Sequence, residues 1–436
     1  MQTIFKHDLI KPVFFISMSG SILFLFGFAM VDEGDAFKYV MFRDPRAVFS
    51  DFYDCIVMSR GGHPYLLGSS YPALPNLIFA FFAKLIPDTT ILRAGHDAVD
   101  LRAALVSFMI YCIIVLPALV ILIFQNKEGG DIEKFVMVLL LLLSAPFLFL
   151  FERGNILLVS LVTLMAFLFW KNSERPWIRE LAYISLAISA GIKLYPAIFG
   201  LLLVYDRKYS AALRCMIYGV ILFIVPFYVY GGITGIDEFL VNLSASSASN
   251  SASFGFSVNA SNTSRVFAKL AGGGWRLAGY VPYLILCASI VSFFMIKTEW
   301  KRITLLATVA ILVPEGNGLY VLVLMAVPLI LFLDAKAERT AIDWVYLLCF
   351  ILIFIPMPLT PENFLPELNP PGRVGFYFYT VGTMMASLAV LLMSAALNLE
   401  GFSLFLQRQR GASRGWAWLP YGPREKSGMR PLGSDK

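Results

Sequence analysis

Side chains able to do chemistry gather in residues 50–75, which read SDFYDCIVMSRGGHPYLLGSSYPALP. The carboxylates of Asp51 and Asp54 are followed by Arg60 and His63. A carboxylate can take a proton from an attacking hydroxyl as a general base. Arginine can hold a phosphate through a fork of donors, and lysine can hold it as a point charge. A carboxylate with cations nearby therefore suits a group transfer at a phosphate.

More polar side chains lie in three short hinges between apolar segments, which read FERGN (151–155), GIKLYP (191–196) and VPEGNG (313–318). The candidate residues in these hinges are Arg153, Asn155, Lys193, Tyr195, Glu315 and Asn317. Ionisable residues at membrane depth are costly, so they are candidates for a functional site. Helix capping, interfacial ion pairs and a snorkelling lysine stem are the structural alternatives.

The composition indicates which kind of secondary structure positions these residues. The chain has 436 residues, of which 58% are hydrophobic and 15% charged, whereas soluble domains are about 25% charged. Only helices and closed barrels satisfy the backbone in lipid, and the apolar runs are too long and continuous for barrel strands. The chain is therefore predicted to be an all-α polytopic membrane protein. The scattered cysteines and histidines indicate no metal site, and nothing indicates a soluble cofactor or nucleic acid.

The distribution of lysine and arginine predicts the topology. Cytoplasmic loops carry the excess of these residues, which favours about 12 transmembrane or partly embedded helices with both termini cytoplasmic. Segment 72–87 is predicted to be partly embedded, because a crossing there would move the basic loop 171–180 outside. The hinges and the loops 31–101, 231–279 and 358–374 are then all outside.

The chain divides into a membrane domain, 1–400, and a basic tail, 401–436, which is predicted to be disordered and cytoplasmic. The outer stretch 231–279 is rich in serine and asparagine and is predicted to be mobile. Its three glycosylation sequons, at Asn242, Asn259 and Asn262, are attributed to chance in so biased a run.

The first outer loop resembles that of the GT-C glycosyltransferases, especially glycosyltransferase family 87. The resemblance is carried by Asp51-Phe52, Gly62-His63-Pro64-Tyr65 and Tyr71-Pro72-Ala73-Leu74. Ala73 departs from the second proline usual in the last of these motifs. The stretches ERGNILLVSLVTLMAF and AISAGIKLYPAIFGLLLVYDRKY follow in the order that the family shows, and EGNGLYVLVLMAVPLILF fits more loosely.

The resemblance implies a GT-C-like bundle with outer catalytic loops and a membrane glycosyltransferase of the mannosyltransferase-like kind. Such an enzyme moves mannose or another hexose from a polyprenyl-phosphate donor to a hydroxyl of a glycan or glycolipid acceptor. The reaction is inverting and takes place on the extracytoplasmic side of a bacterial inner membrane. The lipid-linked sugar phosphate is a substrate, so no cofactor is implied, and the partners are donor, acceptor and membrane lipids.

By the same resemblance Asp51 is the general base, with Asp54 as the alternative, because this extra carboxylate lies close by. Arg153 and Lys193 are the residues implied for the donor phosphate. Substrate contact or loop shaping is expected of the remaining candidates, which are His63, Tyr65, Tyr71, Asn155, Tyr195, Glu315 and Asn317.

Two other classes of protein remain open from the sequence. A secondary transporter or lipid-linked-sugar flippase predicts polar residues near the bilayer midplane and repeat symmetry, whereas this chain has its polar residues on one predicted face and no obvious repeat. An O-antigen polymerase or ligase tends to carry arginine and histidine in a large late loop. Here the loop 231–279 has Arg265 and Arg276 but no histidine.

Overall fold

The computed structural model describes residues 9–34, 37, 40–41, 48–87, 90, 95–252, 257–270, 276–335, 339–356 and 380–411. These ranges contain α-helices and short 3-10 helices and no β-strand. The predicted all-α class is therefore confirmed.

Seventeen α-helices follow one another along the described chain. Their bounds are α1 Ile10–Val31, α2 Ser50–Arg60, α3 Ala73–Ala83, α4 Arg102–Asn126, α5 Asp131–Leu142, α6 Ala145–Arg153, α7 Leu157–Trp170, α8 Pro176–Ile192, α9 Leu201–Tyr205, α10 Tyr209–Ile224, α11 Ile233–Ala252, α12 Ala260–Leu270, α13 Val281–Met295, α14 Glu299–Leu312, α15 Ala326–Asp334, α16 Ala341–Phe354 and α17 Thr380–Gly411. The 3-10 helices are Gly95–Ala98, Tyr195–Gly200, Val225–Tyr230, Arg276–Tyr280 and Leu319–Met325.

Five helices in the described ranges are long and apolar enough to cross a membrane. They are α1, α4, α17, the continuous stretch Tyr209–Tyr230, and Ala278–Met295. Helices α5 and α6 meet at a 57° bend and would make a sixth span if they cross together. The shorter apolar helices, such as α7 and α16, fall below the roughly 20 residues that a full crossing needs. The chain is thus a membrane protein whose described apolar helices differ in length.

Helix α1 illustrates how these elements are stabilised. One face repeats every four residues and is buried, at Ile10, Phe14 and Met18. On the opposite face Leu23 and Phe24 are 71% and 64% exposed. A helix that is apolar on all sides has one face for its protein neighbours and another for lipid.

The stretch 231–279 differs from the predicted mobile loop, because α11 and α12 occupy most of it. The polar run at the start of α12 is buried against the third hinge. The backbone N–H of Val258 donates to the Asn317 carbonyl at 2.7 Å, and Asn259 Nδ2 donates to the Glu315 carbonyl at 2.9 Å. Serine and asparagine can be buried when their hydrogen bonds are satisfied, which composition alone does not reveal.

The described residues do not decide the predictions for segment 72–87, for the domain boundary, or for the loop 358–374 and most of the tail. Helix α3 has 11 residues, about half of a full span, but its position in the membrane is a prediction. The proposed domain boundary at residue 400 falls inside α17, which continues to Gly411. The loop 358–374 and residues 412–436 of the tail lie outside the described residues.

Candidate active site

The carboxylate of Asp51, in the first turn of α2, is held by two side chains of the first hinge. Arg153 donates to Oδ1 from Nη2 at 2.5 Å and from Nε at 3.1 Å. Asn155 donates from Nδ2 to Oδ2 at 2.6 Å. The Asp51 side chain is 15% exposed. The sequence therefore brings a carboxylate and a hinge 102 residues away into one hydrogen-bonded cluster.

A left-handed glycine makes this arrangement possible. Gly154 ends α6 with φ +62°, in a region that favours glycine. A Cβ on Gly154 would lie 2.8 Å from the Cβ of Phe52, so a larger residue would press against α2 itself. The tight turn lets both Arg153 and Asn155, on either side of the glycine, reach Asp51.

The amide of Asn155 has a defined orientation. Its Oδ1 accepts the N–H of Leu157 at 2.9 Å and so caps the start of α7. Its Nδ2 must then point the other way, where it meets Asp51 and the hydroxyl of Tyr71 at 3.2 Å. Asn155 is 1% exposed, and its carbonyl accepts the Tyr111 hydroxyl at 3.3 Å. This residue is a rigid holder of the carboxylate.

Lys193 brings the second hinge to the same cluster. It follows the last residue of α8, and its Nζ lies 4.2 Å from the ring centroid of Tyr71, a cation–π contact. Burial lowers the pKa of Lys193 to about 8, while the Asp51 charge opposes this shift. Two cations, Arg153 and Lys193, thus flank the carboxylate.

The loop before α3 is fixed from two sides. Asn76, in α3, donates to the Tyr71 carbonyl at 3.4 Å and accepts the Ser69 hydroxyl at 3.2 Å. Asn242, in α11, donates to the carbonyls of Tyr65 at 2.8 Å and Ser69 at 3.2 Å. These amides hold the ring of Tyr71 between Asn155 and Lys193.

A solvent-open cleft with a cavity volume of about 140 Å³ reaches the carboxylate. Its lining residues are Asp51, Asp54, Cys55, Met58, Gly68, Ser69, Ser70 and Tyr71. The alternative base, Asp54, shares this cleft, and its Oδ1 accepts the N–H of Gly95 at 3.1 Å. The cleft is large enough for a small polar ligand to approach either carboxylate.

Four predicted site residues are not brought to Asp51 by any described contact. His63 is exposed in the turn after α2. Tyr65 is buried in a separate aromatic cluster, where its ring stacks on Phe227 at 5.5 Å. In the third hinge, Asn317 Nδ2 caps the end of α14 by donating to the Ile311 carbonyl at 2.9 Å. The Glu315 carbonyl accepts the Asn259 amide, so both hinge residues are engaged in holding α12 and α14.

Tyr195 and Tyr320 extend the cluster. The hydroxyl of Tyr195 is buried and has no hydrogen-bond partner among the described residues. Tyr320 is within electrostatic range of Tyr195, Asp51 and Arg153, and its ring stacks on Phe149 at 6.0 Å. Tyr320 was not singled out from the sequence, although it lies just two residues beyond the glycine that ends the third hinge.

The comparison with protein families identifies the chain. The model of glycosyltransferase family 87 matches residues 70–328, more than half of the sequence. This range includes Tyr71, Arg153, Asn155 and Lys193, whereas Asp51 lies before it. No curated protein and no solved structure matches the chain. The chain belongs to glycosyltransferase family 87, which makes it a membrane glycosyltransferase.

Proposed function

We propose that the protein moves a hexose, mannose or a related sugar, from a polyprenyl-phosphate donor to a hydroxyl of a glycan or glycolipid acceptor. The observation that carries this proposal is the cluster itself. Asp51 lies on an open cleft with Arg153 hydrogen-bonded to it and Lys193 within electrostatic range. A base beside two cations is the combination that a displacement at a sugar phosphate requires.

The proposed reaction is a single displacement. Asp51 accepts the proton of the acceptor hydroxyl, and the acceptor oxygen forms a bond to the anomeric carbon of the donor. The bond from that carbon to the phosphate oxygen breaks, and its electron pair leaves with the polyprenyl phosphate. Arg153 and Lys193 stabilise the negative charge that develops on the phosphate. One displacement inverts the configuration at the anomeric carbon.

The surroundings favour Asp51 over Asp54 as the base. Asp51 contacts Arg153 directly, so a hydroxyl near its carboxylate would also be near a group able to hold the leaving phosphate. Asp54 instead accepts the backbone N–H of Gly95, which anchors the short 3-10 helix Gly95–Ala98. We therefore assign Asp54 a supporting role in the cleft.

The α7–α8 hairpin supports an extracytoplasmic site. Helix α7 begins beside Asn155 and α8 ends beside Lys193, so both helices have their site ends together. The connection at their other ends carries Lys171 and Arg175, and Arg179 follows in the first turn of α8. Because basic loops favour the cytoplasm, the cluster belongs on the opposite side, in a bacterial inner membrane with both chain termini cytoplasmic.

The test is transfer from radiolabelled polyprenyl-phosphate mannose in membranes that contain the wild type, Asp51→Asn or Asp54→Asn. The asparagine keeps the shape of the side chain and removes the base. We expect Asp51→Asn to lose roughly 10²–10⁴-fold in rate, the usual contribution of a general base, and Asp54→Asn to retain activity. Equal activity of Asp51→Asn and the wild type would refute this base, and no transfer from any polyprenyl-phosphate sugar by the wild type would refute the donor class.

A further inference from the structure

We propose that the Asp51–Arg153 ion pair is a switch that the donor phosphate opens, so that donor binding frees Oδ1 of the base before the acceptor reacts. The proposal rests on the proposed function, because it takes the donor phosphate as the group that reaches Arg153. It adds an order of events and a coupling between the two substrates at the same site.

The first observation concerns the lone pairs of the carboxylate. A carboxylate offers about four acceptor positions, two on each oxygen. Arg153 directs both Nε and Nη2 at Oδ1, and Asn155 directs Nδ2 at Oδ2. Oδ1 is therefore fully engaged while the guanidinium stays in place, and a hydroxyl can then reach only the remaining acceptor position on Oδ2.

The second observation is that the two side chains that hold Asp51 differ in how tightly they are packed. Asn155 is 1% exposed, and the N–H of Leu157 and the hydroxyl of Tyr111 fix its position. The Arg153 side chain is 31% exposed and has a long stem at the end of α6. Of the two, Arg153 is the side chain that can change its conformation and leave Asp51. Asn155 stays in place and keeps the carboxylate in the same orientation.

A phosphate is a better partner for this guanidinium than one carboxylate oxygen. Two guanidinium nitrogens converge on the single atom Oδ1, which is not the parallel fork that arginine favours. A donor phosphate presents two unesterified oxygens, which can each take one N–H in a parallel pair. Lys193, on the other side of Tyr71, adds a second positive charge for the same phosphate. Moving Arg153 from Asp51 to the phosphate frees Oδ1.

The coupling can be measured with farnesyl phosphate, a prenyl phosphate monoester, by titration calorimetry on detergent-purified protein. A double-mutant cycle of wild type, Asp51→Asn, Arg153→Gln and the double variant isolates the pair. We expect Asp51→Asn to bind about fivefold or more tightly than the wild type, because Arg153 is released. In the Arg153→Gln background the same Asp51→Asn change should alter affinity by about twofold or less.

Two further variants keep the test decisive. Asp54→Asn removes a carboxylate that lines the same cleft and accepts the N–H of Gly95, so it should change affinity by about twofold or less. Arg153→Lys keeps the charge, and thus the local electrostatics, but removes the fork, and it should also weaken the coupling.

The outcomes separate the switch from the enzyme activity. Unchanged affinity in Asp51→Asn, equal tightening in Asp54→Asn, or tightening that persists without Arg153 would each overturn the switch. No binding by any variant would also overturn it, because the phosphate would not reach Arg153. Sugar transfer by the wild type is assayed separately, so a protein that transfers but shows no coupling keeps the proposed function and loses only the switch.

Discussion

At the scale of single residues, Lys193 has a charge that depends on its surroundings. Burial lowers its pKa to about 8, and the groups that face it are Asp51, Cys55 and the ring of Tyr71. A phosphate needs the protonated amine. As the pH rises through about 8, Lys193 loses this charge, and with it the attraction for the donor phosphate that the proposed function assigns to it.

We therefore expect kcat/KM for the donor to fall as the pH rises through about 8. Lys193→Arg should remove this alkaline limb, because the guanidinium stays charged throughout the range. The measurement is a pH profile of kcat/KM with the donor varied, since that ratio reports ionisations of the free enzyme. A limb of the same position and depth in Lys193→Arg would show that another group titrates.

The residue types of the cluster could be predicted from the sequence, but their partners could not. Arg153 and Lys193 were singled out as ionisable hinge residues, and both lie beside Asp51. Glu315 and Asn317 satisfy the same hinge criterion, yet the backbone carbonyl of Glu315 holds the start of α12 and the side-chain amide of Asn317 holds the end of α14. A polar hinge predicts a special role for its residues, and only the packing of the helices determines whether that role is capping or chemistry.

At the scale of helices, the turn between α6 and α7 decides whether the cluster forms. Gly154 has φ +62° and lies against Phe52, so any Cβ costs both backbone strain and a steric contact. Gly219, in the middle of α10, is a suitable comparison, because nothing lies within 4 Å of the position of its Cβ.

We expect Gly154→Ala to destabilise the protein by at least about 1–2 kcal/mol, the cost of a left-handed residue with a Cβ. It should also lower transfer activity, because Arg153 and Asn155 would move relative to Asp51. Gly219→Ala should stay within about 1 kcal/mol of the wild type. Thermal unfolding in detergent and the transfer assay together check this, and equal melting temperatures for the two variants would contradict it.

The sequence predicted where helices break better than what lies between the breaks. The three hinges were visible as polar and glycine-rich interruptions, and each of them ends or begins a helix in the structure. For the stretch 231–279, the abundance of serine and asparagine predicts a mobile loop, whereas α11 and α12 occupy most of it. Val258 and Asn259 are instead buried and hydrogen-bonded to a hinge that lies more than 50 residues further along the chain.

At the scale of the whole molecule, a buried charge cluster joins distant helices at the predicted cytoplasmic side. Lys127, after α4, is fully buried, with its Nζ 2.7 Å from Glu133 and 2.5 Å from Asp334. Lys11 of α1 lies 3.3 Å from the same Asp334 carboxylate. The cluster thus connects α1, α4, α5 and α15.

We expect Lys127→Met to destabilise the protein by about 3–5 kcal/mol, because the buried carboxylate of Asp334 loses its closest cation and keeps Lys11 at 3.3 Å and the N–H of Glu128 at 2.8 Å. Lys301→Met is the matched control. Lys301 pairs with Glu400 at 2.8 Å, but this pair is more exposed, so the loss should be about 1 kcal/mol or less. Melting temperatures in detergent provide the comparison, and the prediction fails if Lys301→Met costs as much as Lys127→Met.

The membrane class of the molecule could be predicted from hydropathy and charge, because every helix that crosses lipid needs a long run of apolar side chains. The ion pairs could not. The positive-inside rule counts Lys11 and Lys127 as topology signals and takes no account of the carboxylates beside them. Glu133 is only six residues from Lys127, but Asp334 is 207 residues away. Three-dimensional proximity, rather than composition, makes these lysines structural.

The cleft has one further consequence, for how such enzymes can diversify. The groups proposed to react lie at the ends of packed helices, whereas one wall of the cleft is the short irregular segment 68–70, next to Tyr71. Substitutions in that segment can reshape what the cleft admits without moving Asp51 or the hinge that holds it. Related enzymes with this fold can therefore gain a new acceptor preference through substitutions at a few loop positions, while the residues proposed for the transfer step stay the same.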